Sequence, residues 1–123
     1  MILSKVAVAA VIIRVATGPT AEPAVGSVSL QQKQAETRIS MRRATDCIVW
    51  SVASDTRFRR ENPTSNLSDL IVDSMPKCLG PVRAMIDAYD RNFGEGAGEE
   101  FFMGAYLDVL PDTVLSMIRN LPQ

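Results

Sequence analysis

Between residues 67 and 79, Leu67, Leu70, Ile71, Met75, Cys78 and Leu79 stand at a spacing of i, i+3, i+4, i+8, i+11 and i+12. Only a helix brings such positions onto one face, because a strand needs strict alternation. The same period returns in Met41, Ala44, Cys47, Ile48 and Val52, and again in Val82, Met85, Ile86, Tyr89 and Phe93. It appears once more in Phe102, Ala105, Tyr106, Val109 and Leu110. No stretch sustains a period of two, so no sheet is expected. The sequence predicts an all-α fold, a small bundle of four to five helices.

Punctuation residues set the expected boundaries. A long first helix should run from about Leu30 to Arg60 and end at Asn62-Pro63, since the residue before proline avoids the α region. Its middle, "CIVWSVA", is apolar almost all round and should be the most buried part. Ser65 or Asn66 is placed to cap the second helix. Pro76 should kink or break it near Met75, where the ring crowds the carbonyl of Val72. Pro81 suits a first helical position, and Gly94 suits a C-terminal cap. Glu99 and Glu100 would open the next helix, where negative charge favours the dipole. Pro111 should break that helix and leave Val114, Ile118 and Leu121 on a short final one.

Two cysteines, Cys47 and Cys78, both fall on inward stripes, as a bridge between helices requires. An even count in a small exported chain suggests a disulfide. Closing a loop of that size would stabilise the fold by roughly 3–4 kcal/mol. The alternative is a pair of reduced, buried thiols.

Export is the reading of the N-terminus. "MILSK" provides a short basic lead, and "VAVAAVII" an apolar run of signal-peptide length, too short to span a bilayer. Small and helix-breaking residues follow, with cleavage after Gly18 or Ala21. Arg14, at the end of the apolar run, argues against this. The alternative is an N-terminal helix that packs on the domain or anchors it to a membrane. The expected organisation is a signal peptide at 1–21, a flexible lead-in at 22–29, and a single helical domain at 30–123.

The chain carries 13 basic and 14 acidic residues, so net charge points to no polyanionic partner. The distribution is uneven: residues 31–60 hold seven basic groups against three acids, and residues 61–123 hold four against ten. Pairing between the two halves would account for this. Arg57-Phe58-Arg59-Arg60 is better placed to complement a helix end and pair with the acidic half than to bind nucleic acid, and no nucleic-acid partner is expected.

No histidine occurs. That removes His-based triads, Cys-His pairs and His-ligated zinc. Ser74-Met75-Pro76-Lys77 matches the Ser-x-x-Lys nucleophile motif, but its companion motifs are absent and a kinked helix explains it. The stretch "DRNFGEGAGEE", from Asp90 to Glu100, resembles a cation loop at first sight. Asp90 and Asn92 suit the first and third ligand positions, but Gly94 and Glu95 fail the fifth and sixth, and Glu100 falls one place early. Asp90, Asn92, Glu99 and Glu100 are therefore weak candidates only. As a phosphate cradle the loop is worse, because its acids repel an anion. Its simplest role is a cap and turn. Trp50, Phe101, Phe102 and Tyr106 have core spacing rather than that of a ligand pocket. Phe101 and Phe102 are adjacent, so one should face inward and the other offer a contact to a partner.

The arrangement "DCIVW…PKCLGPVRAMIDAYDRNFGEGAGEEFFMGAYLDVLP" resembles a group of small exported alphaproteobacterial proteins to which no activity is assigned. The resemblance covers about residues 46–111 and implies an envelope location; no functional residue carries over. Size, helices and a single disulfide are also similar to those of periplasmic acid-stress chaperones, in class alone. The expectation is a non-enzymatic, periplasmic or secreted helical protein that binds a protein or envelope partner and uses no cofactor. Contact with a membrane would come only through an uncleaved N-terminal segment. The alternative is a small-ligand or cation binder using the 90–100 loop.

Overall fold

The computed structural model describes residues 29–122. The expected signal peptide, and the lead-in up to Val28, lie outside the described residues. Four helices form and no strand appears among the described residues, in agreement with the sequence reading. They are α1 (Leu30–Ser54), α2 (Leu67–Ser74), α3 (Leu79–Phe93) and a last continuous helix. That last helix is built from α4 (Ala97–Phe101), a π-helical turn (Phe102–Tyr106) and α5 (Leu107–Arg119). The compact unit discussed below is Ala35–Gln123.

α1 opens with a reciprocal cap that the sequence reading missed. Gln32 N–H donates to Ser29 Oγ, and Ser29 N–H donates to Gln32 Oε1, the Ser-x-x-Gln capping box. The helix then stops at Ser54, short of the expected Arg60. Asp55 carries the reason: its carboxylate accepts from both the backbone N–H and the guanidinium of Arg57. A short polar side chain that satisfies nearby N–H groups offers the backbone an alternative to another helical turn. Burial along "CIVWSVA" is one-sided. Ile48, Val49 and Val52 are buried, whereas Trp50 is 59% exposed.

Pro76 acts as expected. α2 ends at Ser74, and the chain turns through Met75–Lys77 before α3 begins. Asn66 stands at the α2 N-cap, but not as expected, because its side chain donates to the Arg57 carbonyl instead. Leu79 is exposed rather than on the inner stripe. α3 starts two residues earlier than expected, so Pro81 is its third residue. It is still in the first turn, where a missing N–H costs nothing. Gly94 ends α3 with φ of 112°, the left-handed side that favours glycine. Phe93, expected on the core stripe, is exposed.

Pro111 does not break the last helix; α5 runs through it. Leu110, Val114 and Ile118 are buried on one stripe that spans the proline, and this tertiary burial outweighs the local cost. Val109 and Ala105, expected inward, are exposed. The helix from Ala97 to Arg119 is long and apolar enough to cross a membrane by length and composition. Leu110, Val114 and Ile118 of it face the bundle core, whereas Met103 and Val109 are exposed.

The core joins Ala44, Ile48 and Val52 of α1 to Leu67, Leu70 and Ile71 of α2, Val82 and Met85 of α3, and the last helix from Tyr106 onward. α1 and the segment after it are held to the rest by side-chain ties. Cys47 and Cys78 form a disulfide with Cα atoms 5.8 Å apart. Asn92 at the end of α3 donates to Glu36 at 2.8 Å, and Arg91 pairs with the same carboxylate. Beyond the C-terminal end of α1, Arg57 bridges Asp55 and Asp73, at 2.9 and 2.8 Å. This last pair links the basic stretch to the acidic half, as the charge distribution suggested.

Candidate functional site

The sequence-nominated loop is a structural joint. Asp90 Oδ1 accepts from Gly98 N–H at 2.8 Å. It thus caps the N-terminus of α4 from eight residues upstream. The Asn92 amide donates to Glu36 and to the Ala88 carbonyl. Glu99 and Glu100 lie exposed in the first turn of α4. The four nominated ligands therefore do not converge, and no group of three or more His, Cys, Asp or Glu able to hold a metal occurs among the described residues. The glycines have separate reasons. Gly96 has φ of 91°, and Gly98 is buried where α4 crosses α3 at Ile86.

Phe101 and Phe102 are both half-buried and both pack against the core. One was expected inward and the other exposed. The π turn changes this, because an i→i+5 turn accommodates one extra residue and lets two neighbours share the inner side. Phe101 stacks on Tyr89 with centroids 4.1 Å apart and planes 8° apart. Phe102 stacks on Tyr106 at 5.9 Å. The large apolar side chain that this segment exposes is Met103. Trp50 does not join this aromatic cluster; Phe93 extends it through Tyr89.

The Ser74 hydroxyl is buried and donates to the Ile71 carbonyl at 2.6 Å, while Lys77 is exposed. Ser-x-x-Lys is thus not a nucleophile–base pair here.

What the sequence reading did not nominate is a groove of about 330 Å³ between α1 and the last helix. α1 contributes Arg38, Met41, Arg42 and Thr45, and the facing wall is Tyr106, Val109, Leu110, Thr113 and Met117. At its floor, Thr45 Oγ1 and Tyr106 Oη lie 2.7 Å apart. Thr45 has one hydroxyl proton, which it donates to the Met41 carbonyl at 2.8 Å, so Tyr106 is the donor to Thr45. Burial pushes the Tyr106 phenol up from its ordinary value, and the Thr45 hydrogen bond opposes that shift. Thr113 donates to the Val109 carbonyl. Every hydroxyl in the lining is therefore already donating within the protein. The remaining side-chain donors are the guanidinium groups on the rim. Arg42 meets Asp46 only at 3.6 Å, in the open, and Arg38 has no ion pair among the described residues. No acidic residue lines the groove. A signal for it was present in the sequence as Arg38, Met41, Arg42 and Thr45 on one turn-spaced face, but the facing wall depends on a helix that Pro111 was expected to break.

A second, smaller cavity of about 220 Å³ lies beside Phe58, Leu115 and Ile118, with Arg60 and Arg119 at its edge. Compared with known protein families, with characterised proteins and with solved structures, the chain matches none.

Proposed function

We propose that this chain is an exported, non-enzymatic binding domain, and that its working surface is the groove between α1 and α5. It holds a protein or envelope component by apolar contact, with an anionic group at the arginine rim. The observation that carries this reading is the pairing of an apolar floor, whose hydroxyls are engaged, with two cationic side chains and no acid. Pockets of this kind, apolar with a few placed polar groups, are the usual form of binding sites. The disulfide and the signal-like N-terminus support an oxidising compartment outside the cytoplasm.

Photo-cross-linking from position 113 in the native envelope tests this reading. Cross-linked species should form with the wild-type groove and disappear with Val109→Glu, which places an acid on an exposed rim position. Unchanged cross-linking in that variant would show that the groove is not the working surface.

A further inference from the structure

The groove itself says what kind of body can lie in it, given that it is the binding surface. An extended peptide brings a backbone N–H and C=O at every residue. Buried polar groups of that kind need partners. The lining offers too few for a chain of them, since Thr45, Tyr106 and Thr113 have spent their protons within the protein and the remaining donors, Arg38 and Arg42, both come from one side. A partner helix satisfies its own backbone, but one turn of it, about 10–12 Å across with side chains and 5.4 Å long, fills on the order of 500 Å³, more than the cavity of about 330 Å³ holds. That volume is at the small end of the range that holds small ligands, about 300–1,000 Å³. An alkyl chain demands no hydrogen bonds and suits an apolar groove of this volume. Met41 and Met117 flank the groove, and thioether side chains adjust readily to such a chain. Arg38 and Arg42 are one turn apart on the same rim, so one carboxylate or phosphate can be met by both.

From this chemistry we infer that the groove takes a monomeric single-chain anionic amphiphile, such as a fatty carboxylate, with its tail between α1 and α5 and its head on Arg38 and Arg42. The site is selective by charge. A cationic head of equal chain length meets the arginines with repulsion, and a neutral head gains only the apolar contact.

Isothermal titration of the full, disulfide-bonded chain with decanoate tests this, using decanol and decyltrimethylammonium as head-group controls below micelle formation. Decanoate should bind once per chain. The Arg38→Ala/Arg42→Ala double variant should weaken decanoate by about tenfold or more, the loss of charge-assisted hydrogen bonds, and leave decanol nearly unchanged. Val109 is 56% exposed, so Val109→Glu keeps the fold and should abolish decanoate binding. Equal binding of the anionic and cationic heads, or indifference to the double variant, would overturn the inference. So would adsorption to phosphatidylglycerol vesicles with no binding of monomeric decanoate. If decanoate fails while Val109→Glu still removes the envelope cross-link, the ligand class is wrong and the groove reading stands. If Val109→Glu changes neither, both fall.

Discussion

A Cβ on Gly98 would stand 2.1 Å from the carbonyl oxygen of Ile86 and 2.7 Å from its Cγ2. α4 therefore crosses α3 with its own backbone pressed on the Ile86 position, and only glycine fits. Asp90 holds the crossing from the other side, through the Gly98 N–H.

Gly98→Ala should accordingly destabilise the fold by about 2 kcal/mol or more, the range for overpacking a tight contact. Gly104→Ala is the contrast: nothing lies within 4 Å of its added Cβ. That variant should be neutral or stabilise by up to about 1 kcal/mol, because alanine loses less chain entropy in a helix. Chemical denaturation of both variants checks the difference. Equal effects would mean the α3–α4 crossing is looser than described.

How much was legible in the sequence follows from the same loop. The glycines at 94, 96 and 98 read as a turn, and Gly94 and Gly96 have the positive φ that a turn uses. Gly98 could not be separated from them, because its reason is a contact with Ile86, twelve residues away in sequence and on another helix. The inward stripes of α2 and α3, apart from Leu79 and Phe93 at their ends, the break at Pro76 and the cysteine pair were local patterns, and the structure has them. The end of α1 was missed because Asn62-Pro63 looked like the stronger stop, while Asp55 stops the helix first. Pro111 was misjudged for the opposite reason, since burial of Leu110, Val114 and Ile118 prevails over local propensity. The groove was out of reach because one wall runs through Pro111 and the π turn.

The Thr45–Tyr106 contact has a direction, and its two ends should respond unequally. Tyr106→Phe removes the donor and leaves Thr45 donating to Met41, a loss of about 1 kcal/mol. Thr45→Val leaves a buried phenol without an acceptor, and should cost about 1–3 kcal/mol. Thermal melts of the two variants decide it; a larger loss for Tyr106→Phe would reverse the assigned donor.

Cys47 and Cys78 are 31 residues apart in sequence. Cys47→Ser/Cys78→Ser should lose roughly 3–4 kcal/mol by removing the constraint on the unfolded chain. Equilibrium denaturation against the oxidised wild type measures this. Equal midpoints and slopes would indicate that the bridge contributes nothing.

Tyr89 and Tyr106 are both held above the ordinary phenol value of 10.0, in each case chiefly by burial. A raised folded value means the folded state resists losing the proton. The resulting stability is fully present below pH 10 and is lost as pH rises through the folded values. Tyrosinate absorbance should therefore rise together with unfolding in alkali. Ionisation of both phenols at the ordinary value with the fold intact would contradict their burial.

The central claim concerns the groove, and chemical-shift mapping tests it most directly. On titration of the oxidised chain with decanoate, the methyl signals of Met41, Val109, Leu110, Thr113 and Met117 should move together with a single affinity. Those of Leu67, Val72 and Leu115 should stay still. Shifts concentrated at Leu115 and Ile118, or spread over the exposed face that carries Ile39 and Trp50, would contradict the account.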